Sequence, residues 1–155
     1  MRRQEKEIRD SNVISEILEK SMVCRLGLVD NDEAYIVPVN YAYDGGRIYI
    51  HSAPEGRKIR LIKKNNAVSF EAELPFEIIR GESACQWSAK YRSVTGRGVV
   101  TIEDDPESKK HGMDLIMKKY GAGTGLLYDE ESLSRLVILK LEIISVTGKQ
   151  SGEWQ

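Results

Sequence analysis

The sequence predicts a mainly β chain with inserted helices, built as an antiparallel barrel of six strands. Three observations carry that prediction. Six β-prone segments recur along the 155 residues. They are joined by hairpin-type turns rather than by a regular alternation of strand and helix. The helical patterns fall between the strands instead of forming a unit of their own. No internal repeat, low-complexity tract or linker divides the chain, and this length suits one domain burying roughly two-thirds of its unfolded surface.

Residues 1–11 are polar and predict a flexible arm. A short helix follows, with Ile14, Ile17 and Leu18 on one stripe and Asp10, Ser11 or Asn12 available as its cap. Residues 22–29 read as a buried strand, apolar on both faces, and Asp30-Asn31-Asp32 as a turn. The second strand covers 34–43. Pro38 removes one ladder donor from it, the mark of an edge or a bulge. Asp44-Gly45-Gly46 signals a hairpin, since glycine accepts the positive φ of tight turns. The third strand, 47–51, passes through Ser52-Ala53-Pro54-Glu55-Gly56 into a basic helix over 57–64, which ends at Asn65-Asn66. Residues 67–73 form the fourth strand, and 74–85 a long connection with little periodicity. The fifth strand is 87–103, bent at Gly96 and Gly98. Asp104-Asp105-Pro106 starts a helix whose apolar stripe is Met113, Ile116, Met117 and Tyr120. Gly121-Ala122-Gly123-Thr124-Gly125 follows that helix and reads as its end and a loop, because a dinucleotide-binding glycine loop follows a strand. The last strand is 136–146, with Lys140 and Glu142 facing out between Leu139, Leu141 and Ile143.

Chemistry concentrates between residues 47 and 64. A helix start presents unpaired N–H groups and a partial positive charge, which attract an anion. Ser52 and Glu55 have capping-box spacing, and Pro54 suits a first turn. Arg57 and Lys58 add full positive charge where the dipole alone favours Asp or Glu, so the pattern points to phosphate. The same residues would also suit an ordinary solvated basic face. His51 ends the strand beside them and is the side chain most readily switched near neutral pH. Ser52 is no nucleophile for it, because neighbouring strand residues point to opposite faces. On the fifth strand Tyr91, Ser93 and Thr95 share one face, and Lys90 and Arg92 the other.

Taken in order, four segments resemble the FMN-binding split-barrel superfamily of pyridoxamine 5′-phosphate oxidase. They are Val37-Pro38-Val39-Asn40-Tyr41, Ile48-Tyr49-Ile50-His51-Ser52, Gly56-Arg57-Lys58 and Tyr91-Arg92-Ser93-Val94-Thr95-Gly96. Within that superfamily the chain is most similar to the nitroimidazole-resistance (Nim-type) flavoproteins. The resemblance runs from about Val23 to Lys149. It implies a six-stranded antiparallel split β-barrel and a homodimer, with one FMN in each of two clefts at the subunit interface. On this resemblance Pro38, Val39 and Asn40 pass the isoalloxazine ring, and Ile50, His51 and Ser52 end the strand beside it. Gly56, Arg57 and Lys58 hold the phosphate, and Tyr91 and Ser93 meet the cofactor from the long strand. Trp87 and Trp154 are candidate lids.

The resemblance gives His51 the reactive role, donating a proton to a small-molecule acceptor such as a nitro compound or positioning it. A nicotinamide nucleotide, NAD(P)H, is the candidate electron source. Two other outcomes stay open: a non-catalytic module that stores flavin or senses redox state, and a split barrel holding haem or a deazaflavin. Pyridoxamine phosphate oxidation is not expected, because the chain ends Ser151-Gly152-Glu153-Trp154-Gln155 without the basic, arginine-containing segment that substrate requires.

Hydrophobic residues make up 41% of the chain and charged residues 30%, the balance of a soluble globular protein. A net charge of −1 argues against a general nucleic-acid binder. No segment approaches a membrane-spanning length, and the start Met1-Arg2-Arg3-Gln4-Glu5-Lys6 has no apolar signal core behind it, so a cytoplasmic location is expected. Cys24 and Cys85 are expected to be reduced there, with Cys24 buried in a strand. His51 and His111 are the only histidines, and no metal site is expected from them.

Overall fold

The computed structural model describes residues 4–123 and 125–154. A 3-10 turn (Gln4–Lys6) leads into β1 (Glu7–Ile8), α1 (Ser11–Lys20), β2 (Cys24–Asp30), β3 (Glu33–Val39), β4 (Ala42–Asp44) and β5 (Arg47–Ser52). Then come α2 (Arg57–Lys64), β6 (Ala67–Glu73), β7 (Glu77–Ile79), β8 (Ser88–Glu103), α3 (Pro106–Lys119), α4 (Glu130–Ser134) and β9 (Val137–Ser151). The hydrogen-bonded path is β3-β2-β6-β8-β9-β5-β4, antiparallel throughout. Its two ends are consecutive in the chain. Because β3 runs through Asn40-Tyr41 into β4, the sheet curls round on itself, and the split of the barrel lies between those two strands.

The six long strands are those the sequence predicts, with three short additions. The expected second strand is interrupted at Asn40-Tyr41, where it leaves β2 and takes β5 as its partner. The last strand reaches Ser151 rather than Val146, because β8 continues to pair with it as far as Tyr91. The connection over 74–85 contains β7, which pairs with the start of β8 in a small ribbon of its own. Within the expected N-terminal arm, Glu7 and Ile8 pair with Lys149 and Gly148, and Ile8 is buried. Residues 1–3 of that arm, and Thr124 of the glycine-rich loop, lie outside the described residues.

Turn chemistry agrees with the sequence. Gly45 and Gly46 adopt φ of +54° and +82° and close the β4–β5 hairpin, and Gly121 (φ +91°) ends α3. Pro38 sits on β3, an edge of the path, where its missing N–H costs no ladder bond. Asp10, Asp105 and Asp129 cap α1, α3 and α4 by accepting from the backbone N–H of Asn12, Ser108 and Ser132.

The barrel is filled by Leu26, Phe70, Val94, Ile48, Ile50, Leu139 and Leu141, with Ile17 and Leu18 from α1 and Ile59 and Ile62 from α2. A second apolar layer forms where Ile116 of α3 meets Ala42, Tyr49 and Ile138. Gly112 permits that approach, since a Cβ there would lie 2.8 Å from Ile138. The end of α3 is tied to α1 by polar groups. Lys119 Nζ and Tyr41 Oη both donate to Leu18 O, at 3.1 and 2.6 Å. Tyr120 Oη donates to Met22 O (2.6 Å) and accepts from Tyr41 N.

Between β8 and β9 the register steps from Arg97↔Ser145 to Gly98↔Ile143, leaving Ile144 as a bulge. The glycines expected to bend β8 sit at that bulge. A Cβ on Gly98 would stand 2.2 Å from Glu142 O, and one on Gly96 2.4 Å from the Phe70 ring. Gly98→Ala is therefore expected to lower stability by about 1–3 kcal/mol in urea unfolding, the range for overpacking. Gly123→Ala, which meets open space, is expected to stay within about 0.5 kcal/mol of the parent. Equal effects of the two would contradict this account of the bulge.

Candidate functional site

The corner between β5 and α2 gathers most of the predicted site residues. His51 lies on the solvent-facing side of β5 and Ser52 on the buried side, as alternation requires. Ser52 does not cap α2. It is the last residue of β5, and its hydroxyl donates to Ala53 O at 3.0 Å. The helix begins three residues after Pro54, capped by Gly56 at φ +117°, a conformation that disfavours any side chain at this position. No side chain therefore occupies the first-turn N–H groups of α2, in contrast to the three Asp-capped helices.

The two cations at this helix start have different fates. Arg57 turns away to Asp30 at the end of β2, with Nη2 2.8 Å from Oδ2, and lies 4.5 Å from the centre of the Tyr35 ring. It ties α2 to the β2–β3 hairpin, and its charge is matched by that carboxylate in this structure. Lys58 is half-buried and has no carboxylate within salt-bridge distance among the described residues. Burial lowers its pKa. Burial, and secondly the nearby Lys58 charge, lower that of His51. The β4–β5 hairpin pairs Ala42 with Tyr49, and Asn40 lies in the break before it, outside the ladder. Val39 is buried and Asn40 exposed. Ile50 is fully buried in the barrel and supports the strand from inside.

Tyr91 and Ser93 are elsewhere. Through β9, His51 is level with Ile138 and Glu103, twelve residues along β8 from Tyr91. The register across β9 does not bring the two groups together within one chain. Trp87 is half exposed where the β7 ribbon joins β8. Trp154 folds back over the opposite face, its Nε1 donating to Ser151 O and its ring 4.8 Å from Lys90 Nζ and 4.4 Å from the Arg92 guanidinium.

Several contributing residues were not legible as such. Asp30 reads in the sequence only as a turn residue, and Tyr35 as strand filler; their contact with Arg57 needs the hairpin and α2 in place. The apolar residues exposed on the outer sheet face (Val29, Ile36, Ile144) surround Gly27 and Ser69. Only the folded sheet assembles them. Cys24 is buried, and its thiol pKa is pushed up to about 12 by that burial, which makes it unreactive near neutral pH. No helix among the described residues is long and apolar enough to cross a membrane.

This architecture has known counterparts. A family model described as pyridoxamine 5′-phosphate oxidase matches residues 10–150. A candidate 5-nitroimidazole antibiotic resistance protein from Bacteroides thetaiotaomicron superimposes with a TM-score of 0.83 at 30% identity, covering 92% of this chain and 85% of that one. The flavocytochrome Anf3 of Azotobacter vinelandii gives a TM-score of 0.86 at 17% identity over 99% of this chain and 72% of its own, a likeness of fold. A curated relative, an uncharacterized protein of Rhizobium meliloti, is 37% identical over 99 residues, 63% of this chain and 60% of the relative, so less than two-thirds of that protein is matched. The order of motifs, the split barrel and these likenesses agree, and the chain belongs to the pyridoxamine 5′-phosphate oxidase family.

Proposed function

We propose that this chain is an FMN-binding flavoprotein that works as a homodimer, an oxidoreductase of the Nim-type nitroreductase kind acting on a small acceptor. The observation that carries this reading is Lys58. It is a half-buried cation without a carboxylate partner among the described residues, at a helix start that Gly56 leaves without a side-chain cap, next to the strand end presenting His51. An unpaired ammonium away from water is unfavourable, and a phosphate against it and the open α2 amides would offset that cost. Bound FMN would supply electron transfer at its N5 atom.

The chain's own residues have separable tasks in this reading. Lys58 and the first N–H groups of α2 hold the phosphate. The Arg57–Asp30 pair fixes the direction of the helix that presents them. His51, whose imidazole holds its proton less readily than usual in the ligand-free chain, stands at the strand end where it can hold or pass a proton. Tyr91 and Ser93 would come from a second protomer, since within one chain the register keeps them from His51. Val29, Ile36 and Ile144, exposed around the small residues Gly27 and Ser69, suit a self-complementary contact between copies. NAD(P)H-dependent turnover of a nitro compound would distinguish this enzyme from a flavin-storage module.

The first test is an absorbance spectrum and an FMN titration. Wild type is expected to bind FMN, and Lys58→Gln to bind about ten- to a hundredfold more weakly, the loss of one charge-assisted contact. A wild-type protein that takes up no flavin would remove the reading altogether. In sedimentation velocity the parent is expected to run as a dimer and Ile36→Asp/Ile144→Asp as a monomer. A monomeric parent that still binds FMN fully would contradict the shared cleft.

His51 gives a pH test. Its folded pKa lies below the ordinary imidazole value of 6.5, so the unfolded chain binds the proton more readily. Stability from this group is full above that value and is lost as pH falls through the folded pKa. An NMR titration of the imidazole is expected to give a midpoint below 6.5, shifted upward in Lys58→Gln. An unchanged midpoint would mean that Lys58 does not act on it.

A further inference from the structure

The far end of the β8–β9 pair carries a second concentration of positive charge, on Lys6 and Lys149, to which the flavin reading gives no task although it uses the neighbouring Tyr91 and Ser93. Tyr91 pairs with Ser151 and Ser93 with Lys149, so these four side chains share one face of the ribbon. β1 lies along the other edge of β9, with Glu7 opposite Lys149. That placement brings the residue before it, Lys6, to the same spot. Lys6 Nζ donates to Ser151 Oγ at 3.0 Å. Lys6 Nζ and Lys149 Nζ stand 6.0 and 5.8 Å from the centre of the Tyr91 ring. Neither lysine has a carboxylate within salt-bridge distance among the described residues; the two acids in register with this row, Glu7 opposite Lys149 and Glu73 opposite Ser93, are paired with Arg9 and Arg25, each at 3.2 Å. Lys90 and Arg92 add positive charge on the reverse face, where the facing acids are Glu77, opposite Lys90 on β7, and Glu16, 3.9 Å from Arg92 and 2.5 Å from Lys20.

The face therefore offers two ammonium groups held only by a hydroxyl and an aromatic ring. Three hydroxyls, on Tyr91, Ser93 and Ser151, lie around them. Ammonium groups can only donate, and hydroxyls donate readily, which suits the acceptor oxygens of a phosphate ester. We propose that Lys6 and Lys149, flanking Tyr91 at this end of the ribbon, form a phosphate subsite distinct from Lys58, and that it takes the pyrophosphate of an adenine dinucleotide. It rests on the flavin reading, which names that ligand as the electron donor and gives the flavin phosphate to Lys58. Two sources of phosphate could meet these groups, the flavin or the dinucleotide. The dinucleotide is favoured because Lys58 and the open end of α2 already serve the flavin phosphate.

The test is calorimetric titration of the protein as isolated with ADP and, separately, with FMN. Wild type, Lys6→Gln/Lys149→Gln, Lys6→Arg/Lys149→Arg and Lys58→Gln are compared, with circular dichroism to confirm that each is folded. The glutamine pair is expected to bind ADP about tenfold more weakly and FMN within twofold of wild type, with the arginine pair restoring ADP binding. Lys58→Gln is expected to lose FMN affinity and keep ADP affinity. The proposal is overturned if wild type binds no ADP, if the glutamine pair binds it undiminished, or if that pair loses FMN affinity as Lys58→Gln does, which would assign the lysines to the flavin. ADP bound through Lys6 and Lys149 in a protein that takes up no FMN would keep the subsite while removing the flavin reading.

Discussion

Everything in this fold hangs on the pairing of β8 with β9. The register runs from Tyr91↔Ser151 to Glu103↔Ile138, and each remaining strand reaches the barrel through one of these two. β6 lines up along β8 and passes the order on to β2 and β3, while β5 and then β4 line up along β9. A flat pair of this length could not curl into a barrel. The bulge at Ile144, opposite Arg97 and Gly98, adds local twist. Gly96 and Gly98 remove the Cβ atoms that would push Phe70 and the Glu142 backbone away. Two glycines and one skipped residue thus permit the curvature on which the core packing depends.

The length of that pair also separates the two proposed sites. At one end His51 lies level with Ile138, and α2 starts a few residues further on. At the other, Tyr91, Ser93, Lys149 and Ser151 share a face that the first end cannot reach through the ribbon. A single long element can hold two groups of side chains rigidly at a fixed separation, which a pair of loops would not do. For the proposed dimer the consequence is geometric, since one protomer's end can complete the other protomer's corner without any strand having to move.

What was legible in the sequence was local. Alternation, the Asp-Gly-Gly hairpin, the Asp-Pro helix start and the glycines of β8 each depend on neighbours a few residues apart, and each is where it was expected. So was the ordered set of motifs that carries the family. What could not be read depends on contacts distant in sequence. Ser52 and Glu55 have capping-box spacing, yet Ser52 is held in β5 by its pairing with Val137, and a strand residue cannot also cap a helix five residues on. Arg57 and Lys58 are equivalent in the sequence. Asp30, twenty-seven residues earlier, takes one of them and leaves the other. The end of β9 continues past Val146 because β8 and β1 hold it from both sides, although its own Gly148-Lys149 have little strand preference.

The fate of those two basic residues gives the rule on which the proposed anion site rests. A charge excess counted along the chain does not mark an anion site, because surface cations commonly find carboxylates once the chain folds. What marks it is a cation that folding leaves without one, in a place where water is partly excluded. Half-burial matters here. A fully exposed lysine would be satisfied by solvent and gain little from a ligand, and a fully buried one would lose its charge. Lys58 lies between these limits, and so does His51, which its neighbour's charge pushes further toward the neutral form. The two groups are unfavourable to each other in the ligand-free chain. An anion bound at this corner would favour the charged form of both, so anion binding and proton uptake there are coupled, and each strengthens the other by the same amount.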